Sequence, residues 1–434
     1  MLKFVETYSI YLHIPFCIHR CSYCDFNTYA GKGDALPAYV DALKREIESV
    51  GRGANDTLPV HTIFLGGGTP SLLLLEDHIQ ILDTIRNHFN LLAGAEITLE
   101  ANPGTVSQAY LDGLRKTGYN RISFGMQTAN PEHLQLLERQ HDPVDVIEAV
   151  KWARQAGFEQ INLDLIFGLP GQTIDHWKAS LEFAVGLRTE HLSLYALTLE
   201  SGTPLFGWVN QGLVSEPDPD LAADMYEWAS DFLEVNEFRQ YEISNWARQA
   251  VDGNLLASRH NLQYWKNQSY LGFGAGAHGY MARAVGGLHG KEIKGQDLGE
   301  LQTVRGVRTA NVLRIEQYIH KVMEGKDLPF PYSCANRTTM PIDIFTEMQE
   351  TMMVGLRLTR DGVSATEFLS RFGKPMIEVF EKEINLVVNR GLAEWSGDIL
   401  RLTQKGRLLG NQVFMHFVGE RKSRKNHSTT TIVP

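Results

Sequence analysis

The chain has 434 residues, a length that favours about three folding units of roughly 150 residues each. With 43% hydrophobic and 21% charged residues it can bury a sizeable core, which excludes a disordered chain and a disulfide-stapled miniprotein. The formal net charge of −10 argues against a generally basic nucleic-acid-binding protein. Of the 4 cysteines, Cys17, Cys21 and Cys24 lie close together, whereas Cys334 lies far downstream and has no predicted task.

The ends of the chain bear on its compartment. The N-terminus lacks the unbroken apolar stretch and small-residue cleavage site of a secretory signal. No run of about 18 apolar residues occurs, so we expect no transmembrane helix. Clustered thiols without an export signal predict metal or redox chemistry in a reducing cytoplasm. The basic tail after Gly419 predicts a solvated end or, alternatively, weak peripheral contact with an anionic membrane or an acidic partner.

Residues 1–235 alternate strand-like and helix-like segments. Apolar residues recur at helical spacing between the strands, as at Val40, Leu43, Ile47 and Val50. Successive β-then-α units predict an α/β fold with a parallel sheet, either open or curled into a partial barrel. The predicted strands are rich in Ile, Leu, Phe and Tyr, which suits burial on both faces; they are Ser9–Ile14, His61–Leu65, Glu96–Glu100, Arg121–Gly125, Gln160–Phe167 and His191–Leu197.

The remainder of the chain divides into two parts. Residues 236–330 have weak periodicity, which predicts an irregular connecting segment, and the proline-containing stretch Asp327–Tyr332 predicts a boundary. Residues 331–434 predict a winged-helix-like α+β domain of helices followed by a small hairpin. The expected helices are Ile342–Leu358, Ala365–Phe372 and Pro375–Asn389, with the hairpin turning at Trp395–Asp398 before a final helix.

The cysteine cluster, Cys-x3-Cys-x2-Cys, directly follows the first predicted strand. Ligands of α/β folds bind at this carboxyl edge of the strands, and thiolates select zinc, copper(I) or iron–sulfur clusters. A structural zinc site needs four protein ligands, so His13 or His19 would have to complete it. A cubane cluster needs one ligand per iron, so three cysteines leave one iron open. The spacing favours an iron–sulfur cluster, and a zinc-stabilised scaffold stays the alternative.

Polar and glycine residues follow other predicted strands. The sequence Gly66–Pro70 suits close approach of backbone to a ligand, or a tight turn. Glu100 ends the third strand, where a carboxylate can accept from a ribose hydroxyl or an ammonium, or cap a helix. Asp164 lies within an apolar strand and needs a partner when buried. The segment His260–Trp265, HNLQYW, predicts an aromatic anchor outside the barrel or, alternatively, a flat pocket with His260 as axial ligand of haem iron.

The stretch YLHIPFCIHRCSYCDF resembles the signature of radical S-adenosylmethionine (radical SAM) proteins. The resemblance implies a partial (β/α)6 barrel and a 4Fe–4S cluster on Cys17, Cys21 and Cys24. It also implies that the open iron chelates the methionine moiety of SAM, which an electron then cleaves to a 5′-deoxyadenosyl radical. The residues that it implies around SAM are Tyr11, Gly67, Gly68, Thr69, Glu100, Gln127, Arg139 and Asp164.

The ordered strings YLHIPFC, LGGGTPS, RISFGMQ, DLIFGLPGQT, YEISNWA and HNLQYW resemble a narrower group. This group contains oxygen-independent coproporphyrinogen III dehydrogenases and the HemW-type haem chaperones. Dehydrogenases carry a further cysteine where this chain has Phe26, and a substantial segment before the first strand. Both departures favour the chaperone branch and tell against the alternative, oxidative decarboxylation of a porphyrinogen. The resemblance then implies haem bound near His260, haem-dependent acceptors such as respiratory enzymes, and a cytosolic electron donor.

Overall fold

A computed structural model describes residues 7–54, 58–282 and 304–419 of the protein. The basic tail, on which the predicted membrane contact rests, lies outside the described residues. Within them, a 12-stranded sheet runs in the order β14-β13-β12-β11-β1-β4-β5-β6-β7-β8-β10-β9, in chain-order numbering. None of the described helices combines the length and apolar character needed to span a bilayer.

The first part of the chain confirms the predicted parallel sheet, because β1, β4, β5, β6, β7 and β8 pair in parallel in that order. The strands are β1 Tyr8–Ile14, β2 Phe16–Cys17, β3 Tyr29–Ala30, β4 Pro59–Gly67, β5 Asn90–Ala101, β6 Arg121–Gln127, β7 Gln160–Phe167 and β8 His191–Ala196. The helices are α1 Leu36–Gly53, α2 Leu75–His88, α3 Gln108–Thr117, α4 Pro131–Leu136, α5 Pro143–Gln155, α6 Ile174–Gly186, α7 Pro204–Asn210 and α8 Pro219–Val235.

Alternation along each strand separates two faces of this sheet. One face is apolar and packs under the helices in the main hydrophobic core, as Ile10, Ile63 and Leu163 illustrate. The opposite face is buried but polar, with Ser9 and Asn162 among its residues. The strands were therefore correctly predicted as buried on both faces, but one of those faces holds hydrogen-bonding side chains.

The middle segment is not irregular, and that prediction was wrong. Its elements are β9 Phe238–Glu242, β10 Asn245–Arg248, α9 Arg259–Trp265, β11 Tyr270–Phe273, β12 His278–Ala282, β13 Val304–Asn311 and α10 Ile315–Glu324. β10 pairs antiparallel with β8, and β11 pairs in parallel with β1, so this segment extends the sheet at both sides. Most of these strands have four or five residues, which is too short to display a clear alternation.

The C-terminal part holds the predicted winged-helix-like unit. Its elements are β14 Asn336–Asp343, α11 Ile344–Gly355, β15 Val363–Ser364, α12 Ala365–Phe372, α13 Met376–Val379, α14 Glu381–Asn389, β16 Ala393–Ser396, β17 Ile399–Leu402, α15 Gln404–Leu408 and α16 Gly410–Phe417. β14 still pairs with β13 in the main sheet, whereas β15, β17 and β16 form a sheet of their own. A separate hydrophobic core, which includes Met352 and Phe368, begins after β14. The structural boundary therefore lies near Ile344 rather than at residue 331.

Candidate functional site

A cavity of about 420 Å³ opens at the carboxyl ends of the parallel strands, and we call it the cysteine cavity. It takes side chains from the ends of β4 through β8 and from the loop after β2, so the sheet is curled around it. The predicted cluster and SAM residues line it, with the exception of Tyr11. They are Cys17, Cys21, Cys24, Gly67, Gly68, Thr69, Glu100, Gln127, Arg139 and Asp164.

The cysteine loop is held at both ends. β2 and β3 pair in parallel, which closes the chain between Cys17 and Tyr29 into a loop over the strand ends. In the middle of the loop, the Ser22 hydroxyl donates to the Leu136 carbonyl at 2.8 Å, and the Ser22 carbonyl accepts from the Leu205 amide at 2.9 Å. The middle of the loop is therefore tied by hydrogen bonds to two helical segments, which positions the thiols.

Every thiol of the loop has a polar neighbour that can donate a hydrogen bond. Such donors favour the thiolate, the form that ligates metal. Burial acts in the opposite direction on Cys17 and raises the pKa of its thiol. The sulfur-to-donor distances are 3.6 Å from Cys17 to Thr69 Oγ1, 3.4 Å from Cys21 to Arg139 Nη1 and 3.8 Å from Cys24 to Thr28 Oγ1.

The donor set matches a multi-iron cluster better than one zinc ion. Within the described residues, no group of three or more His, Cys, Asp or Glu side chains is arranged to hold a single metal ion. Either His13 or His19 would have to be the fourth zinc ligand. His13 is 7% exposed and both its ring nitrogens are bonded, to the Tyr11 hydroxyl and the Asn27 carbonyl, each at 2.9 Å. His19 is paired instead with Glu138 at 3.4 Å. Three soft thiolates around a cavity fit the iron–sulfur cluster.

The glycine loop after β4 packs directly on the cysteine loop. The Gly68 amide donates to the Ile14 carbonyl at 2.9 Å, and the Thr69 amide donates to the Phe16 carbonyl at 2.7 Å. A Cβ at Gly68 would lie 2.6 Å from the Phe16 carbonyl oxygen, closer than real Cβ atoms approach. Gly67 has a φ of 108°, which glycine alone adopts readily. These glycines are thus needed for the contact between the two loops, as well as for approach to a ligand.

Two carboxylates face the cavity from β5 and β7, the strands on either side of β6. Glu100 accepts from the Gly67 amide at 3.1 Å, and burial, together with the charge of Asp164, raises the pKa of Glu100 to about 7. Asp164 accepts from Ser123 Oγ and Asn162 Nδ2, each at 2.8 Å, and its pKa is also raised, chiefly by burial. A cation or a hydroxyl donor bound in the cavity would therefore stabilise the ionised form of both carboxyl groups.

Arg139 joins three parts of the site. Besides the Cys21 sulfur, it donates to Asn102 Oδ1 at 2.6 Å and to the Gly125 carbonyl at 2.8 Å, while its buried Nε has no partner. Nearby, Gln127 ends β6 with a φ of 66°, a conformation that strains a non-glycine residue by about 1–3 kcal/mol. Strain at a strand end beside a cavity is typical of functional sites. Asn102, Ser123 and Tyr195 also line the cavity, and sequence reasoning missed them.

Tyr11 and His260 lie deeper, and the HNLQYW segment is not outside the barrel as predicted. α9 packs against β4, and Glu96 of β5 accepts from the His260 amide at 3.1 Å. His260 is 1% exposed, with its Nδ1 bonded to Thr62 Oγ1 at 2.8 Å and its Nε2 to the Tyr264 hydroxyl at 2.9 Å. Burial lowers the pKa of His260 to about 3, so the ring is neutral at physiological pH. An iron ligand at His260 would have to give up one of these bonds.

Two protein-family models match the chain. The radical SAM superfamily model matches residues 11–184, and the HemN C-terminal domain model matches residues 346–409. Heme chaperone HemW of Bacillus subtilis (strain 168) is 37% identical over 414 residues, covering 95% of this chain and 99% of that protein. The chain belongs to the HemW family of radical SAM proteins. Heme chaperone HemW of Escherichia coli (strain K12) is 40% identical over 272 residues, 62% of this chain and 69% of that protein.

A solved structure supports the fold of this HemW-family chain. Coproporphyrinogen III oxidase (HemN) from Escherichia coli, a radical SAM enzyme, has a TM-score of 0.75 over 96% of this chain and 91% of that one. At 22% identity this likeness concerns the fold alone. Membership of the radical SAM family implies a 4Fe–4S cluster and SAM as cofactors, and the thiols, glycine backbone and carboxylates of the cysteine cavity have the chemistry to hold them.

Proposed function

We propose that the protein is a cytoplasmic haem chaperone that binds haem and transfers it to haem-dependent acceptor proteins, such as respiratory enzymes. The observation that carries the proposal is the identity of 37% with Heme chaperone HemW of Bacillus subtilis along 99% of that relative. Resemblance over the whole chain includes the barrel, the middle segment and the C-terminal unit, so it concerns the complete architecture rather than the radical SAM core alone.

In this proposal, Cys17, Cys21 and Cys24 hold the 4Fe–4S cluster. When bound there and reduced by a cytosolic electron donor, the cluster would supply an electron for reductive cleavage of SAM. The protein's own contribution is electrostatic, because donors beside each sulfur, such as the Arg139 guanidinium 3.4 Å from Cys21, stabilise the charge of the ligating thiolates.

SAM would occupy the remainder of the cysteine cavity. Its ammonium and ribose hydroxyls are donors, and the carboxylates of Glu100 and Asp164 are the acceptors available at the strand ends. The backbone of Gly67 and Gly68 allows close approach of the methionine end, and Gln127 supplies an amide. Tyr11 does not line the cavity, and its role would be to orient His13, because the Tyr11 hydroxyl bonds the ring of His13 at 2.9 Å.

Phe26 distinguishes this proposal from the alternative, coproporphyrinogen III dehydrogenase. It lines the cysteine cavity and is 66% exposed, at the position where the dehydrogenases carry a further cysteine. A phenyl ring offers neither a thiol for redox chemistry nor a ligand for metal.

The test combines binding and activity on one preparation. Anaerobically reconstituted protein is titrated with haem by absorbance, then supplied with coproporphyrinogen III, SAM and a reductant. We expect saturable haem binding and no protoporphyrinogen. Product formation without stable haem binding would overturn the proposal in favour of the dehydrogenase, and zinc without iron in the purified protein would favour the scaffold.

A further inference from the structure

Asn102 lies between the two side chains that donate to the Cys17 and Cys21 sulfurs. Its Oδ1 accepts from Arg139 Nη2 at 2.6 Å, and its Nδ2 donates to Thr69 Oγ1 at 3.2 Å. Arg139 Nη1 in turn lies 3.4 Å from the Cys21 sulfur. Thr69 Oγ1 lies 3.6 Å from the Cys17 sulfur. One amide therefore joins the donors of two thiols, and we call Thr69, Asn102 and Arg139 the amide bridge.

The directions of these hydrogen bonds follow from the chemistry of the partners. A guanidinium can only donate, so the Asn102 atom that faces Arg139 must be the carbonyl oxygen, and the amide nitrogen then faces Thr69. Because the Thr69 oxygen accepts from this amide, its own proton points to the Cys17 sulfur. Asn102 thus holds the guanidinium beside one thiol and orients the hydroxyl proton towards the other.

The backbone around Asn102 shows that this side chain is not used locally. Asn102 immediately precedes the short helical turn Pro103–Thr105, a position where an asparagine side chain commonly accepts from the amides of the turn. Within the part of the chain that the structure describes, its side chain makes no such bond. The neighbouring strand leaves room for the amide bridge, since a Cβ at Gly125 would lie only 3.1 Å from Arg139 Nη2. The side chain is therefore committed to the donors of the thiols.

Donors beside the sulfurs affect the charge that a cluster can accept. One-electron reduction adds negative charge to a cluster whose ligands are already anionic, so a hydrogen bond to sulfur stabilises the reduced form more than the oxidised form. We propose that Asn102 is a positioning residue that raises the reduction potential of the cluster by orienting Thr69 and Arg139 towards its sulfur ligands. This inference rests on the cluster assignment in the proposed function and adds to it a residue outside the ligand set.

The first variant removes the amide bridge. Asn102→Leu has a similar volume but neither a donor nor an acceptor. The full chain, reconstituted anaerobically and kept without SAM, is titrated with reductant while electron paramagnetic resonance measures the reduced cluster. We expect the ratio of reduced to oxidised cluster at a given potential to fall about tenfold, which corresponds to a midpoint about 59 mV lower.

The matched control is Asn120→Leu. Asn120 also binds the backbone of β5, accepting from the Ile97 amide at 2.8 Å and donating to the Ala95 carbonyl at 2.7 Å. It is not among the residues that line the cysteine cavity. The control loses a comparable pair of amide hydrogen bonds without changing the donors to sulfur, so it should keep the wild-type potential.

The second variant separates the direction of the hydrogen bonds from packing. The carboxylate of Asn102→Asp can accept from both Arg139 and Thr69, so it keeps the two contacts but draws the Thr69 proton away from Cys17. Its added charge lowers the potential in any background, whereas the effect carried by the Thr69 proton disappears once Thr69→Val has removed the hydroxyl. We therefore expect Asn102→Asp to lower the potential more in the wild-type background than in the Thr69→Val background.

The outcomes distinguish this inference from the function on which it rests. If the wild type takes up no iron and sulfide, the cluster assignment fails and the inference fails with it. If the wild type holds the cluster and both Asn102 variants have its potential, the assignment stands and the inference is wrong. Equal shifts for Asn102→Asp in the two backgrounds would refute the oriented hydroxyl. Where Asn102→Leu loses its cluster, this pair of backgrounds decides.

Discussion

Gly68→Ala tests the contact between the glycine loop and the cysteine loop. A Cβ at position 68 would lie 2.6 Å from the Phe16 carbonyl oxygen, 2.8 Å from the Ile14 carbonyl oxygen and 2.9 Å from the Phe16 amide nitrogen. All three atoms belong to backbone, so no side chain can rotate away to make room. The loops must move apart, and the strand that ends at Cys17 moves with them.

The size of the effect combines steric overlap with weakened hydrogen bonds. Forcing a methyl group into a packed site destabilises the folded arrangement by about 1–3 kcal/mol. Separation of the loops also weakens the bonds from Gly68 to Ile14 and from Thr69 to Phe16, at about 1 kcal/mol each. The sum, about 3–5 kcal/mol, shifts the equilibrium away from the ligating arrangement by about 150-fold or more. We therefore expect a folded protein that holds much less cluster than the wild type.

Iron and sulfide per chain, with the visible absorbance after anaerobic reconstitution, measure this outcome. The matched control is Gly186→Ala at the end of α6, where a Cβ meets no atom within 4 Å. That control should match the wild type in cluster content. A Gly68→Ala protein with wild-type iron and absorbance would refute the reasoning, because it would mean that the loops yield without disturbing the thiols.

Three further predictions concern single groups. Cys21→Ala should abolish the cluster's visible absorbance while Cys334→Ala retains it, and a retained cluster in the former would contradict the ligand set. The pKa of Glu100 is raised to about 7, so its ionised fraction, and with it the affinity for SAM, should increase about tenfold from pH 6 to pH 8. Equilibrium binding of SAM without reductant measures this increase. The Glu100→Gln variant should bind SAM with an affinity that does not change over this pH range. His260→Ala should weaken haem binding with the cluster intact, as followed by haem titration and iron content, and unchanged affinity would leave His260 with a packing role.

The candidate site could be predicted from the sequence because it follows from strand order. The carboxyl ends of parallel strands meet at one edge, so Cys17, Gly67, Glu100 and Asp164, each at or near such an end, had to converge. Side chains such as Asn102 carried no comparable signal. It is an isolated polar residue in a turn, and its bond to Arg139 depends on a partner 37 residues away.

Elements at the sheet edge escaped prediction for a physical reason. β14 has a mostly exposed side-chain pattern, which is permitted at an edge and gives no apolar alternation. The prolines at Pro329 and Pro331 accordingly mark a turn before this strand and not the end of the unit. Likewise, the predicted helix Pro375–Asn389 is interrupted at Phe380, where φ is −121°.

The burial of His260 links the HNLQYW segment to the cysteine loop. Its ring packs on Phe64 with 5.1 Å between centroids and lies 6.5 Å from the ring of Tyr11. The Tyr11 hydroxyl bonds His13 Nδ1, and His13 Nε2 must donate to the Asn27 carbonyl, because that oxygen can only accept. Of this chain of contacts, replacement of His260 removes only the ring contact with Tyr11, and the hydrogen bonds from Tyr11 through His13 to Asn27 remain to hold the cysteine loop. The iron content of the cluster reports whether these contacts are unchanged in the variant. Weaker haem binding identifies His260 as an iron ligand only if that iron content equals the wild-type value.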